Sequence, residues 1–211
     1  MLTTNLRKLS MIACFAAAAA ALAASDTKTE QATIAVQGGT ATFVANTNVA
    51  AVSIKGKSSA LVAKLSLRRA AEGLQLEHID ARLSVMTLLT GMGLRDFHMR
   101  KYVFTTADGQ MPDLHFEGAN TTCSGSAKEA TCRVAGMLAI RNIARPFTLP
   151  LKIREDGAGF KASGDGVVKL SAYGIEQPSE LGVKMNDEIL LHFDFAARQI
   201  SGDVAMLTER R

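Results

Sequence analysis

A two-residue alternation of apolar and polar side chains, repeated segment after segment, constrains this chain more than any other feature. In residues 59–68, Leu61, Ala63, Leu65 and Leu67 fall on one side; Lys64, Ser66 and Arg68 fall on the other. Successive side chains of an extended chain point to opposite faces, so period two with opposite polarity means a half-buried strand. Residues 74–86 repeat the pattern, with Ile79, Ala81, Leu83 and Val85 inside and His78, Asp80, Arg82 and Ser84 outside. Residues 129–141 set Ala130, Cys132, Val134, Leu138 and Ile140 against Arg133 and Arg141. Phe147, Leu149, Leu151 and Ile153 alternate with Thr148, Pro150 and Lys152. Near the C-terminus Ile189, Leu191, Phe193 and Phe195 alternate with Glu188, Leu190, His192 and Asp194. Shorter strand candidates are residues 32–36, ended by Gly38-Gly39, then 40–47, 50–57, a segment from Leu114, and 164–173. Turn signals separate them, at residues 71–73, Asn142, residues 156–159 and the Pro178 loop of residues 176–187.

About eight strands, mostly adjacent in sequence, predict an all-β antiparallel sandwich or closed barrel. Closure removes the edges at which sheets aggregate. An eight-stranded barrel is either filled by its own side chains or holds one small ligand. The inner face mixes Leu65 and Phe193 with Ala63, Ala81 and Gly136, which leaves room, although packed cores also mix sizes. One stretch, residues 90–116, lacks the alternation. Residues 88–101 predict a short helix weakened by Gly91 and Gly93. Arg95, Asp96 and His98 crowd there beside Phe97, Met99 and Phe104. Either the polar trio pins the helix to the barrel rim, or it meets the polar end of a ligand at the cavity mouth.

The first 24 of 211 residues read as a secretory signal peptide. Arg7 and Lys8 precede an apolar run over residues 11–24, and Ala21-Leu22-Ala23 fits the small-x-small cleavage rule. That run is too short for a stable membrane anchor. Cys14 offers lipid modification as the alternative, but most of the apolar run follows it. Export predicts a periplasmic location. The formal charge of +4 includes Arg7 and Lys8, and the remaining basic residues form only pairs such as Arg68-Arg69, so nucleic acid is not an expected partner. In an oxidising compartment the remaining cysteines, Cys123 and Cys132, predict a disulfide across a hairpin, with two free buried thiols as the alternative. Residues 51–58 fit a relaxed phosphate-loop pattern. A strand-like stretch follows where a helix N-terminus is required, so no nucleotide is expected. His78, His98, His115 and His192 have no metal-ligand spacing; His78 and His192 sit on polar strand faces.

The run Leu94-Arg95-Asp96-Phe97-His98-Met99, then Phe104 and residues 112–116 (Pro-Asp-Leu-His-Phe), resembles the YceI-like family of periplasmic lipid-binding proteins. So do residues 136–141 with Arg145-Pro146-Phe147, the Tyr173-Gly174-Ile175 run and the Asn186-Asp187-Glu188-Ile189 run. The chain departs from the family pattern at Asn142, where a glycine is usual, and in its cysteine pair. The resemblance implies a lipocalin-like barrel over residues 39–198. It would be preceded by a leader and first short strand (25–38) and followed by a tail (199–211). It also implies a long isoprenoid, quinone-like or fatty-acyl ligand in an apolar tunnel. The residues themselves offer no activated nucleophile or metal cluster, so no cofactor, metal or catalysis is expected. The expected tunnel lining is Leu65, Leu67, Ile79, Leu83, Phe97, Met99, Phe104, Phe116, Leu138, Leu149, Leu191 and Phe193. The expected polar end is Arg95, Asp96, His98 and Tyr173. A homodimer is compatible with this reading. Two alternatives are an enzyme acting on such a lipid, with His98 and Asp96 as acid and base, and a solid-cored envelope protein that makes only protein contacts.

Overall fold

The computed structural model describes residues 30–199. The expected signal peptide, the leader before Glu30 and the tail from residue 200 lie outside the described residues. Nine strands follow in order: β1 (Glu30–Thr47), β2 (Ser53–Ala70), β3 (Gly73–Leu83), β4 (Leu114–Gly125), β5 (Glu129–Ile140), β6 (Ile143–Asp156), β7 (Gly159–Lys169), β8 (Ser179–Glu180) and β9 (Val183–Gln199). Each pairs antiparallel with its neighbour from β1 to β7; β9 then joins β7 to β1 and closes the ring. Eight strands form the barrel, and the two-residue β8 is a hairpin arm on β9. The fold is the expected all-β barrel with one inserted helix, α1 (Gly93–Met99). No helix among the described residues is long and apolar enough to cross a membrane.

The alternating pattern sets the faces. Leu61, Ala63, Leu65 and Leu67 are buried, as are Cys132, Val134, Leu138 and Ile140 on β5 and Leu149, Leu151 and Ile153 on β6. Arg141 and Asn142 form the two-residue β5–β6 turn with φ of 54° and 62°, both left-handed as a tight hairpin requires. Arg141 therefore belongs to the turn and not to the outer strand face.

Several predicted boundaries change. Residues 32–36 and 40–47 are one strand, because the chain bends at Gly38 (φ 77°) through a bulge and does not stop there. Residues 30–38 thus belong to the barrel. Residues 53–57 and 59–68 likewise merge into β2, and residues 50–52 belong to the β1–β2 turn. A bulge where Ser66 and Leu67 meet β3 switches its inward parity from Leu74 and Leu76 to Ile79, Ala81 and Leu83. β3 then stops at Leu83, and residues Val85–Thr87 form a 3-10 turn. The strand expected over 164–173 instead ends at Lys169, followed by a 3-10 turn over Leu170–Tyr173. β9 begins inside the segment read as a loop.

Cys123 and Cys132 are register partners on β4 and β5 and form a disulfide with sequence separation 9. Closing a loop of that size stabilises the fold by about 2–3 kcal/mol through the unfolded chain. Reduction with dithiothreitol is expected to lower the chemical-denaturation free energy by about that amount. An unchanged denaturation midpoint contradicts this assignment of the bond's role.

Packing is not uniform along the barrel axis. Ile34, Leu65, Leu67, Leu74, Leu76, Val134, Leu151 and Ile153 are almost wholly buried and fill the half of the barrel nearest the β2–β3, β4–β5 and β6–β7 turns. This end is closed. Towards the other end, inward side chains such as Phe43, Ala81, Leu191 and Phe193 stay only half-buried. They face an internal space.

Candidate ligand-binding site

The open half is a cavity of about 150 Å³ lined almost wholly by apolar groups. β3 contributes Ile79 and Leu83, β4 Phe116, β5 Leu138, β6 Leu149, and β9 Leu191 and Phe193. Met99 and Phe104 close it from the inserted segment. Phe116 and Phe147 meet edge to face, centroids 5.8 Å apart. The Phe147 ring lies over Gly166, where an added Cβ would stand 2.6 Å from its Cζ. Glycine on the inner face of β7 therefore lets an aromatic ring lie flat against the wall.

The cavity wall has a seam. β2 pairs with β3 only from Val62 onward. Its upper residues, 53–61, have β1 on one side and no β3 on the other. Residues 84–104 fill that place. Lys57 and Leu89 exchange backbone hydrogen bonds of 2.9 Å each way. The Ser58 hydroxyl lies 2.7 Å from that of Thr87, which donates to the Ser84 carbonyl at 2.6 Å. From this base the chain turns at Gly91 (φ 81°) into α1, which runs on as a π-turn over Arg100–Phe104. Met99 and Val103, four residues apart on a helix, share one face, and that face points into the cavity.

The polar residues of this segment hold it down. Asp96 is buried and accepts from the Thr90 amide at 2.7 Å and the Thr90 hydroxyl at 2.6 Å. The Arg100 guanidinium donates to the carbonyls of Met86 (3.1 Å) and Leu88 (3.5 Å). The Asp96 carboxyl is held below its ordinary value, first by the Thr90 hydroxyl, against an opposing cost of burial. The Thr90 amide, Arg100 and Arg95 add to the lowering. A carboxylate with a depressed folded-state pKa contributes stability that is present above the unfolded value and lost as pH falls through the folded one. The Thr90 amide is therefore expected to keep its hydrogen-exchange protection as pH falls to about 4 and to lose it only below the ordinary aspartate range. Loss already at pH 5–6 contradicts the assignment.

Nine of the twelve residues expected to line the tunnel thus stand together on one cavity. Leu65 and Leu67 do not: they lie one and two inward positions beyond Ala63, inside the closed half. Alternation reports the face of a strand but not depth along the axis. Phe97 is 56% exposed. It lies two residues from Met99, about 200° round a helix, so when Met99 faces in, Phe97 faces out. The expected polar end is not gathered on the cavity wall. Arg95 is half-buried on α1, and Asp96 is engaged with Thr90. His98 lies 3.9 Å from Glu180. Buried Tyr173 donates to the Leu138 carbonyl at 3.3 Å, and burial raises its pKa against the opposing charge of Arg145. The polar residues that do border the cavity are Thr42, Arg82 and His115. His115 lies 3.0 Å and Arg82 3.5 Å from Asp80 on the outer face of β3 and β4.

Sequence reasoning missed Phe43, Val103, Phe147, Ile175 and Met185 among the wall residues. Phe147 shared the inward parity of Leu149, and Val103 the helical face of Met99, so both carried a usable signal. Ile175 comes from the segment joining β7 to β8, where no period operates. Met185 lies at the start of β9 and shares the parity of Ile189 and Leu191, but within the stretch read as a loop.

The sequence matches the YceI-like domain model over residues 26–197. No curated protein matches it. Several solved structures share the fold. Burkholderia cenocepacia BcnA superposes with a TM-score of 0.60 at 18% identity, over 75% of this chain and 95% of that one. A Saccharophagus degradans polyisoprenoid binding domain implicated in plant cell wall breakdown gives 0.57 at 12% identity, over 81% and 100%. The Campylobacter jejuni YCEI protein gives 0.56 at 17%, over 70% and 85%. At these identities the likeness is one of fold.

Proposed function

The chain belongs to the YceI-like domain family, and from that premise we propose that it is an exported, periplasmic lipid-binding protein. It holds a long isoprenoid, quinone-like or fatty-acyl chain in the open half of its barrel. The observation that carries this reading is the cavity itself: apolar, closed at one end by a solid core, and stoppered at the other by Met99, Val103 and Phe104. Apolar cavities of about this size stay dry and take up a small hydrocarbon. A longer chain is accommodated as the 93–104 segment withdraws along the seam beside β2. Each methylene buried contributes about 0.8 kcal/mol before ordering costs. The polar end of the ligand stays at the mouth, because the wall offers no gathered set of polar groups to receive it.

The reading as a lipid-modifying enzyme draws no support from the geometry of its expected pair. Asp96 is held by Thr90, while His98 faces Glu180. The solid-cored reading fits only the closed half. Mass spectrometry of organic extracts from protein purified without detergent tests the proposal. A long-chain lipid near one per barrel is expected. Protein that yields none and takes up no polyprenyl probe contradicts it.

A further inference from the structure

We propose that the mouth end of the barrel docks on an anionic lipid bilayer, with α1 and the β8–β9 hairpin as the contact surface. The proposal goes beyond cargo binding and relies on that reading only to explain why the surface rings the mouth.

Exposed apolar groups are distributed unevenly. Among the described residues, ten of the fourteen large apolar side chains that stand exposed lie on the mouth-end segments, and none on the closed-end turns. On and beside α1, Leu94 is 67% exposed, and Met92 and Tyr102 are 54%. Phe97 faces solvent with them. Leu181 is 98% exposed at the tip of the β8–β9 hairpin, where its φ is 49°. A branched side chain held in the left-handed region with no contact is an unfavourable arrangement in water, and one that a lipid surface relieves. The two tips are neighbours, as His98 lies 3.9 Å from Glu180. The β1–β2 turn completes the rim. The Asn48 amide donates to the Gly182 carbonyl at 3.2 Å, and its oxygen accepts from the Lys184 amide at 2.9 Å.

Charge selects the occupant. Residues 85–104 carry Arg95, Arg100 and Lys101, and their one carboxylate, Asp96, is buried against Thr90. The Lys101 ammonium lies 6.0 Å from the Phe97 ring and 5.3 Å from the Tyr102 ring. Aromatic bodies with a cationic tip suit the headgroup boundary of a bilayer. Of the other acidic groups at this end, Asp108, Asp113 and Glu176 lie on other loops, Asp187 accepts from the Ser171 amide and hydroxyl, and Glu188 pairs with Lys169. Glu180 stands on the hairpin, 3.9 Å from His98, so the cationic part of the surface is the face of the helix. A second copy meeting this surface mouth to mouth would set two cationic helices against each other.

The chain contains no tryptophan, so Phe97→Trp places a unique tryptophan on the surface, excited apart from the two tyrosines. It is mixed with isoprenoid-free phosphatidylcholine vesicles, with and without phosphatidylglycerol. The expected result is a blue shift and quenching by brominated acyl chains on phosphatidylglycerol vesicles, weakened at about 0.5 M salt. Arg95→Glu with Lys101→Glu in the same background lowers vesicle affinity about tenfold or more. Lys128→Trp, at the closed end, stays unquenched. No response of Phe97→Trp to anionic vesicles overturns the proposal. So does a shift that follows protein concentration without lipid, because a second copy then covers the surface. Extractable lipid without any vesicle response rejects docking and leaves the cargo reading standing. Docking without extractable lipid does the reverse.

Discussion

Ala81→Phe is expected to weaken long-chain lipid binding by about two orders of magnitude while the barrel stays folded. Ala81 faces the cavity near the mouth end of β3, between Ala63 and Phe116 on the adjoining strands. A ring placed there occupies space that a guest chain would fill. Displacing roughly four methylenes removes about 3 kcal/mol at ~0.8 kcal/mol each, and about 1.4 kcal/mol is a factor of ten in affinity. Overpacking an already filled core costs about 1–3 kcal/mol in stability. This side chain enters open volume, so the folding cost falls at or below the lower end. Fluorescence titration with a polyprenyl probe, paired with thermal denaturation, reads both quantities. Full affinity in a stable variant would mean that the chain sits elsewhere.

Leu151→Ala is expected to do the opposite. Leu151 is wholly buried in the closed half, paired across the sheet with Cys132 and Gly164. Truncation there leaves a hole that the surrounding strands cannot collapse into, costing about 2–5 kcal/mol. Binding at temperatures where the variant remains folded should be unchanged. Leu191→Ala, on the cavity side, removes a side chain already half free of contacts and should cost less than Leu151→Ala. Equal losses at the two positions would contradict the division of the barrel into a solid and a hollow half. Urea denaturation of the two variants side by side decides it.

The barrel was legible in the sequence because a strand writes its faces at period two. The runs through Leu65, Val134, Leu151 and Phe193 each placed the right side chains inside. The seam was not legible. β3 stops at Leu83 although Val85 keeps its inward parity, and what ends the strand is the competing attachment of residues 84–90 to Lys57 and Ser58 on β2. Those are contacts between distant residues that no local pattern records. That the first four strand candidates form only β1 and β2 was illegible for a related reason. Gly38 signals a turn locally, but in a closing barrel it supplies a bend.

The site was legible in part. Helical spacing separates Met99 and Val103 from Phe97 and by itself places Phe97 on the outside. For the polar trio, the anchoring alternative matches Asp96, whose partner Thr90 lies six residues upstream within the same loop. Arg100, not Arg95, makes the corresponding hydrogen bonds to the loop backbone. Leu65 and Leu67 show the limit of face assignment: they are inside, but at a depth where the barrel is full.

The central claim is that the guest chain lies in the mouth half and nowhere else. Photolabelling with a diazirine-bearing polyprenyl probe, followed by peptide mass spectrometry, tests it most directly. The account predicts adducts on Leu83, Phe116, Leu138 and Phe193 and none on Leu67 or Ile153. Adducts confined to the outer strand faces, or reaching the closed half, would contradict it.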